Sequence, residues 1–214
     1  MSFDAVAPWY RALETIAFGN ALQQCRVACL GGIQAPRHAL IVGEGNGRFL
    51  CELLRAHPRV QVDCVDSSER MLQLARKRVQ SEMPDRTDQV RFLHRDITTW
   101  LPAENAYDLL VTHFLLDCFP VAELVGVIRK LALAATVDAA WLLADFRLPA
   151  QGFARLHAKV WLVAMYQFFR LTAGIKATEL VDPTPHMQGE AFFLAHQHVS
   201  RNGMMKSVLW RRNL

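Results

Sequence analysis

Three glycines at alternate positions, Gly43-Glu44-Gly45-Asn46-Gly47, follow the short apolar run His38–Val42 and lead into a helix-like stretch, Gly47–His57. Glycines are needed where a loop turns sharply and a ligand approaches its backbone. A helix start behind such a loop offers unpaired N–H groups to that ligand. The spacing is G-x-G-x-G. A dinucleotide fingerprint, G-x-G-x-x-G, would place its third glycine at Arg48. Nineteen residues past Gly47, Asp66 ends a second apolar run, Val60–Val65. A carboxylate at the tip of a strand is positioned to accept hydrogen bonds from both hydroxyls of a ribose. The chemistry these residues suggest is the capture of a nucleoside-bearing ligand.

Positioning such a loop requires alternating strands and helices, and the hydropathy pattern supplies them. After a helical segment over residues 1–36, broken by Gly31-Gly32 and Pro36, the pattern predicts strands at His38–Val42, Val60–Val65, Val90–Arg95, Tyr107–Thr112 and Ala139–Ala144. Helices are expected at Gly47–His57, Ser67–Gln80, Val121–Ala134 and Gly152–Leu171. Strands separated by helices pair in parallel with helices on both faces. Two final runs, Ala191–Val199 and Met204–Arg211, joined by Arg201-Asn202-Gly203, predict an antiparallel edge hairpin. The expectation is a single-domain α/β fold. Its residues 37–214 form a Rossmann-like core, and residues 1–36 form a helical lid.

Composition narrows the class. Of 214 residues, 52% are hydrophobic and 21% charged, which excludes disorder. The longest stretch without Asp, Glu, Lys or Arg is the eleven residues between Glu14 and Arg26. A spanning helix needs about 20 mainly apolar residues, so none is expected. The opening MSFDAVAPWYRALE has early acids and no basic segment leading into an apolar run, unlike a signal peptide. A net charge of +4 is too small to imply nucleic acid. Five cysteines without a C-x-x-C pair read as reduced thiols of a cytoplasmic protein. His196-x-His198 lacks a third ligand nearby, so no metal is expected.

The chain resembles the class I S-adenosylmethionine-dependent methyltransferases. The likeness is carried by Ala39–Leu50 around the glycines, Cys64-Val-Asp-Ser-Ser68, Phe92–Ile97 and Tyr107–His113.

 The resemblance implies a seven-stranded sheet with one antiparallel strand, and S-adenosylmethionine bound across the carboxyl ends of the strands. It further implies that Gly43, Gly45 and Gly47 face the methionine part, that Asp66 with Ser67 meets the ribose, and that Asp96 with Ile97 holds the adenine. His113 would lie near the methionine carboxylate or sulfonium. The family usually has an acid two places before the first glycine, where this chain has Ile41; either Glu44 partly replaces its charge or backbone carbonyls hold the amino group.

Methyl transfer from a sulfonium needs the acceptor held in line and water excluded, with a base only where the acceptor loses a proton. His113 is read as base, cofactor contact or structural histidine. Asp117 either orients an acceptor or caps the helix at Val121. An Asn/Asp-Pro-Pro-aromatic run, frequent in enzymes that methylate nucleic acids, is absent after strand four. Asp145 is followed by Phe146 rather than the Asn of metal-dependent catechol enzymes.

The helix after strand five is expected to bury Leu156, Val160, Val163 and Phe168 on the sheet. Trp161 and Met165, together with Trp9 and Tyr10, are candidates to line a pocket for a lipophilic or aromatic acceptor. The opening Phe3-Asp4-x-x-Ala7-x-x-Tyr10 resembles small-molecule methyltransferases of the quinone-biosynthesis type. The expected function is transfer of a methyl group to a small hydrophobic molecule, with peripheral membrane contact as an option. A non-catalytic S-adenosylmethionine-binding module and a nicotinamide-dependent oxidoreductase are the alternatives.

Overall fold

Alternate residues of β1 (His38–Val42) enter two different cores: Leu40 and Val42 join one apolar cluster, and Ala39 and Ile41 join the other. That is the signature of a strand covered by helices on both faces. In the computed structural model, which describes residues 19–149, 151–173, 177 and 180–212, β1 lies inside a seven-stranded sheet. The other strands are β2 (Gln61–Asp66), β3 (Val90–His94), β4 (Tyr107–His113), β5 (Ala135–Phe146), β6 (Phe192–Ser200) and β7 (Met205–Arg212). Their order is β3-β2-β1-β4-β5-β7-β6. The first five are parallel, while β7 runs antiparallel to both β5 and β6. The expected edge hairpin is present, and its turn uses left-handed backbone at Arg201, Asn202 and Gly203.

Helices α2 (Arg48–Ala56), α3 (Glu69–Glu82) and α4 (Val121–Ala134) connect the parallel strands. α3 starts where Ser68 Oγ accepts a hydrogen bond from the Met71 amide at 3.2 Å, with Glu69 in the first turn. The strand order reverses between β1 and β4, and in open α/β sheets ligands bind in the crevice at that point. Before the sheet come α1 (Ala21–Val27) and a 3-10 turn at Leu30–Gly32. The short helix α6 (Thr184–Gly189), with Pro183 at its N-cap and Pro185 in its first turn, has no counterpart in the expected pattern. Residues 1–18 of the expected lid lie outside the described residues. All five cysteines are buried with free thiols.

One expectation is overturned. Helix α5 (Gly152–Ala173) forms over the expected span, but Leu156, Val160 and Val163 are 61%, 63% and 53% exposed. Its inward side carries Ala158 and Leu162, with Trp161 partly buried, against Leu22, Cys25, Phe146 and Met205. The physical reason is topological. α5 does not cross the sheet to a parallel neighbour, because β6 and β7 return as a hairpin. It packs instead over the carboxyl end of β5, so a different face is covered. The side chains of Phe168 and Met165 lie outside what the structure describes.

Candidate functional site

All three glycines of the loop adopt left-handed backbone, with φ of 72°, 73° and 83° at Gly43, Gly45 and Gly47. Side-chain-bearing residues rarely adopt that conformation. Each also answers a different steric demand. A Cβ at Gly47 would stand 2.8 Å from Ala75 Cα, and one at Gly43 would stand 3.0 Å from Leu115 Cδ1. At Gly45 nothing lies within 4 Å. Gly47 therefore permits helix packing, Gly43 permits the turn beside β4, and Gly45 leaves its open side to the cleft. The loop is tied down by Gly43 N–H donating to Val65 O at 2.8 Å and Arg78 Nε donating to Asn46 O at 2.9 Å.

Asp66, at the end of β2, is 8% exposed and lines the same cleft. Its carboxylate accepts hydrogen bonds from Ser68 N–H at 2.9 Å and Gly45 N–H at 3.3 Å, which fix its orientation. Ser67 stands beside it in the wall. Asp96, Ile97 and Thr98 form the next stretch of wall. Asp96 Oδ1 accepts from Thr98 N–H and Oγ1 at 2.9 and 2.8 Å, an Asx-type turn that presents the Ile97 backbone. From α4, Lys130 Nζ donates to the carbonyls of Ile97 and Thr98 and anchors that turn.

Glu44 is buried in the wall, and its Oε1 accepts from Leu50 N–H at 3.0 Å in the first turn of α2. Burial pushes its carboxyl up to about 7, with Arg26 and the helix amides opposing. Ile41, in the position where the acid was missed, is buried in an apolar cluster. Arg26 is the residue that sequence reasoning missed. It reaches the cleft from α1, is 7% exposed, and sits 5.4 Å from the centroid of the Phe114 ring. Nothing in the pattern around α1 marks it, because its neighbours there lie eighteen or more positions away in sequence.

His113 ends β4 at the cleft wall, 6% exposed, with Phe49 edge-on at 4.4 Å. Neither ring nitrogen has a hydrogen-bond partner among the described residues. Burial, and then the charge of Arg26, hold its imidazole well below the usual value, so it is neutral. The residue after it, Phe114, has φ of 52°, a strained conformation for an aromatic residue, and also lines the cleft. Asp117 is not brought to the wall. It turns inward to Asp145, whose carboxyl is raised well above its usual range by burial and by Asp117. Trp161 packs against the apolar cluster that holds Cys118 of the wall but does not itself line the cleft, while Trp9 and Tyr10 lie outside the described residues.

The wall fits a nucleoside carrying an amino-acid tail. Asp66 offers an anionic acceptor, the turn at Asp96–Thr98 offers backbone groups, and Glu44 with Arg26 offers one acid and one cation. The unpartnered buried imidazole of His113 adds a polar group that a ligand would satisfy.

The methyltransferase-domain family profile matches residues 39–136, which span the glycine loop through β4 to the start of β5. Malonyl-[acyl-carrier protein] O-methyltransferase of Halalkalibacterium halodurans is 33% identical over 81 residues, covering 36% of this chain and 28% of that protein. The mitomycin 7-O-methyltransferase MmcR superposes with a TM-score of 0.72 at 16% identity, over 100% of this chain and 61% of MmcR. The 1,6-didemethyltoxoflavin-N1-methyltransferase of Burkholderia thailandensis, solved with bound 1,6-didemethyltoxoflavin and S-adenosylhomocysteine, gives a TM-score of 0.70 at 13% identity, over 98% of this chain and 85% of that one. These likenesses to solved structures are likenesses of fold. The chain spans about a quarter of the curated relative and about three fifths of MmcR.

Proposed function

We propose that this chain, whose residues 39–136 match the methyltransferase-domain family, moves the methyl group of S-adenosylmethionine onto a small, hydrophobic or aromatic acceptor by in-line displacement. The observation that carries this reading is the cleft at the strand-order reversal, where the open Gly45 faces Asp66 and the unpartnered His113.

S-adenosylmethionine, when bound, supplies an electrophilic methyl group on a sulfonium. In this reading Asp66 binds the ribose hydroxyls, the Asp96–Thr98 turn holds the adenine, and Glu44 and Arg26 take the ammonium and carboxylate of the amino-acid tail. Neutral His113 accepts a proton from an acceptor hydroxyl or hydrogen-bonds the tail. Its depressed basicity keeps it in the neutral form that both roles require. The apolar cluster of Leu22, Cys25, Phe146 and Leu162 adjoins the cleft through Cys118 and Phe114, and this apolar neighbourhood supports a greasy acceptor. The segment 1–36 acts as the lid in this proposal.

The test is transfer of labelled methyl from S-adenosylmethionine to extracts of the native host, with mass analysis of the labelled product. A labelled small molecule in the organic phase is the expected result, lost in His113→Asn at retained S-adenosylhomocysteine binding. Absence of label from every fraction would leave a binding module. Stabilisation by NADH, with none by S-adenosylhomocysteine, would favour an oxidoreductase.

A further inference from the structure

Helix α5 presents to solvent a face that its sequence would have buried. Leu156, Val160 and Val163 follow one another at helical spacing, and all three are more than half exposed. Arg155, Lys159 and Arg170 are exposed beside them, as are Gly152 and Gln167. At 100° per residue this exposed arc is about 140° wide. No Asp or Glu occurs anywhere from Gly152 to Ala173. The opposite side of the same helix is already occupied, with Ala158 and Leu162 buried against the end of β5.

We propose that this face of α5 lies on an anionic lipid surface. The argument is one of charge and geometry together. Three branched aliphatic side chains in solvent are each costly, and they are flanked by long cationic side chains whose stems can follow an apolar surface while their heads stay in water. A helix with an apolar stripe bordered by Lys and Arg lies in the plane of the headgroups. The absence of any acid on the helix removes repulsion from negative lipid. No helix among the described residues is long and apolar enough to cross a membrane, so α5 would lie on the surface rather than span it. Its inner side packs into the apolar cluster that also holds Cys118 and Phe114 of the cleft wall. The contact therefore places that part of the wall near the lipid phase, and an acceptor dissolved there has a short path to the site. This last consequence rests on the methyltransferase reading above; the lipid contact does not.

The experiment is sedimentation of the full chain with vesicles of phosphatidylcholine alone and of phosphatidylcholine containing phosphatidylglycerol. Binding to the anionic vesicles is expected, weakening as salt is raised and small on the zwitterionic ones. Leu156→Gln/Val160→Gln/Val163→Gln and, separately, Arg155→Gln/Lys159→Gln/Arg170→Gln should each lower the partition coefficient about tenfold or more. Thermal shift by S-adenosylhomocysteine reports that each variant is folded. Hydrogen exchange of the unaltered protein gives a measurement independent of the variants, with protection gained over 152–170 on anionic vesicles. The proposal is overturned if the unaltered chain stays in the supernatant, if both triple variants pellet like it, or if no protection appears. A concentration-dependent dimer abolished by the aliphatic triple variant would instead assign the face to a second copy. Vesicle binding without any S-adenosylhomocysteine shift would sink the methyltransferase reading and leave the lipid contact standing.

Discussion

Glu44 is a carboxyl group whose proton is in play near neutrality, and its consequences for stability and binding have opposite signs. Its carboxyl moves from 4.5 to about 7 on folding, chiefly through burial. The folded state therefore binds the proton more tightly than the unfolded chain. The resulting stabilisation is fully present below about pH 4.5 and is lost as pH rises through about 7, a change on the order of 3 kcal/mol. Glu44→Gln should accordingly melt above the unaltered protein at pH 8 and gain nothing at pH 4.5, as followed by thermal denaturation. A ligand ammonium beside Glu44 would favour the carboxylate, so S-adenosylhomocysteine should bind more tightly as pH rises from about 6 to 8, with proton release visible by calorimetry in buffers of differing ionisation enthalpy. Asp66 offers a simpler case. Asp66→Asn keeps an acceptor for the Ser68 N–H, gives up the longer bond from the Gly45 N–H, and loses the charge that the proposed ribose contact would use. Affinity for S-adenosylhomocysteine should fall roughly tenfold to a hundredfold, with little change in melting temperature of the free protein.

At the level of elements, the glycine loop separates packing from binding. Gly47→Ala must bring a Cβ within 2.8 Å of the backbone of α3 while keeping a left-handed φ, so it should cost about 2–4 kcal/mol of stability. Gly45→Ala meets open space and pays only the backbone strain, about 1–2 kcal/mol, but places a methyl group where the ligand approaches. Denaturant midpoints and S-adenosylhomocysteine affinities of the two variants should therefore diverge. This loop and Asp66 were legible in the sequence because left-handed turns and strand tips demand particular residue types at short spacing. Arg26 and Lys130 were not. They act across 18 and 33 positions, on Glu44 and on Ile97, and only the tertiary fold sets those distances. α5 was half legible. Aliphatics at helical spacing announce a two-faced helix, but not which face the rest of the chain covers.

Across the whole molecule, the sheet behaves as one body whose ligand site touches β1, β2 and β4 at once, so binding should stabilise everything together. At a hundredfold excess over its dissociation constant, S-adenosylhomocysteine should add about 2.7 kcal/mol, or roughly 5–10 °C in melting temperature for a domain of this size. NADH should add nothing in the same measurement. Alternation of strand and helix was enough to read the parallel half of the sheet, and the Asn-Gly turn enough to read its hairpin. The placement of β7 between β5 and β6 has a further consequence, for synthesis rather than for the finished protein. One side of β5, a strand of twelve residues with a mostly buried pattern, finds its partner only when residues 205–212 emerge. Until then the nascent chain carries a long unpaired apolar edge, which is the form of the molecule most exposed to misassociation and most in need of a chaperone.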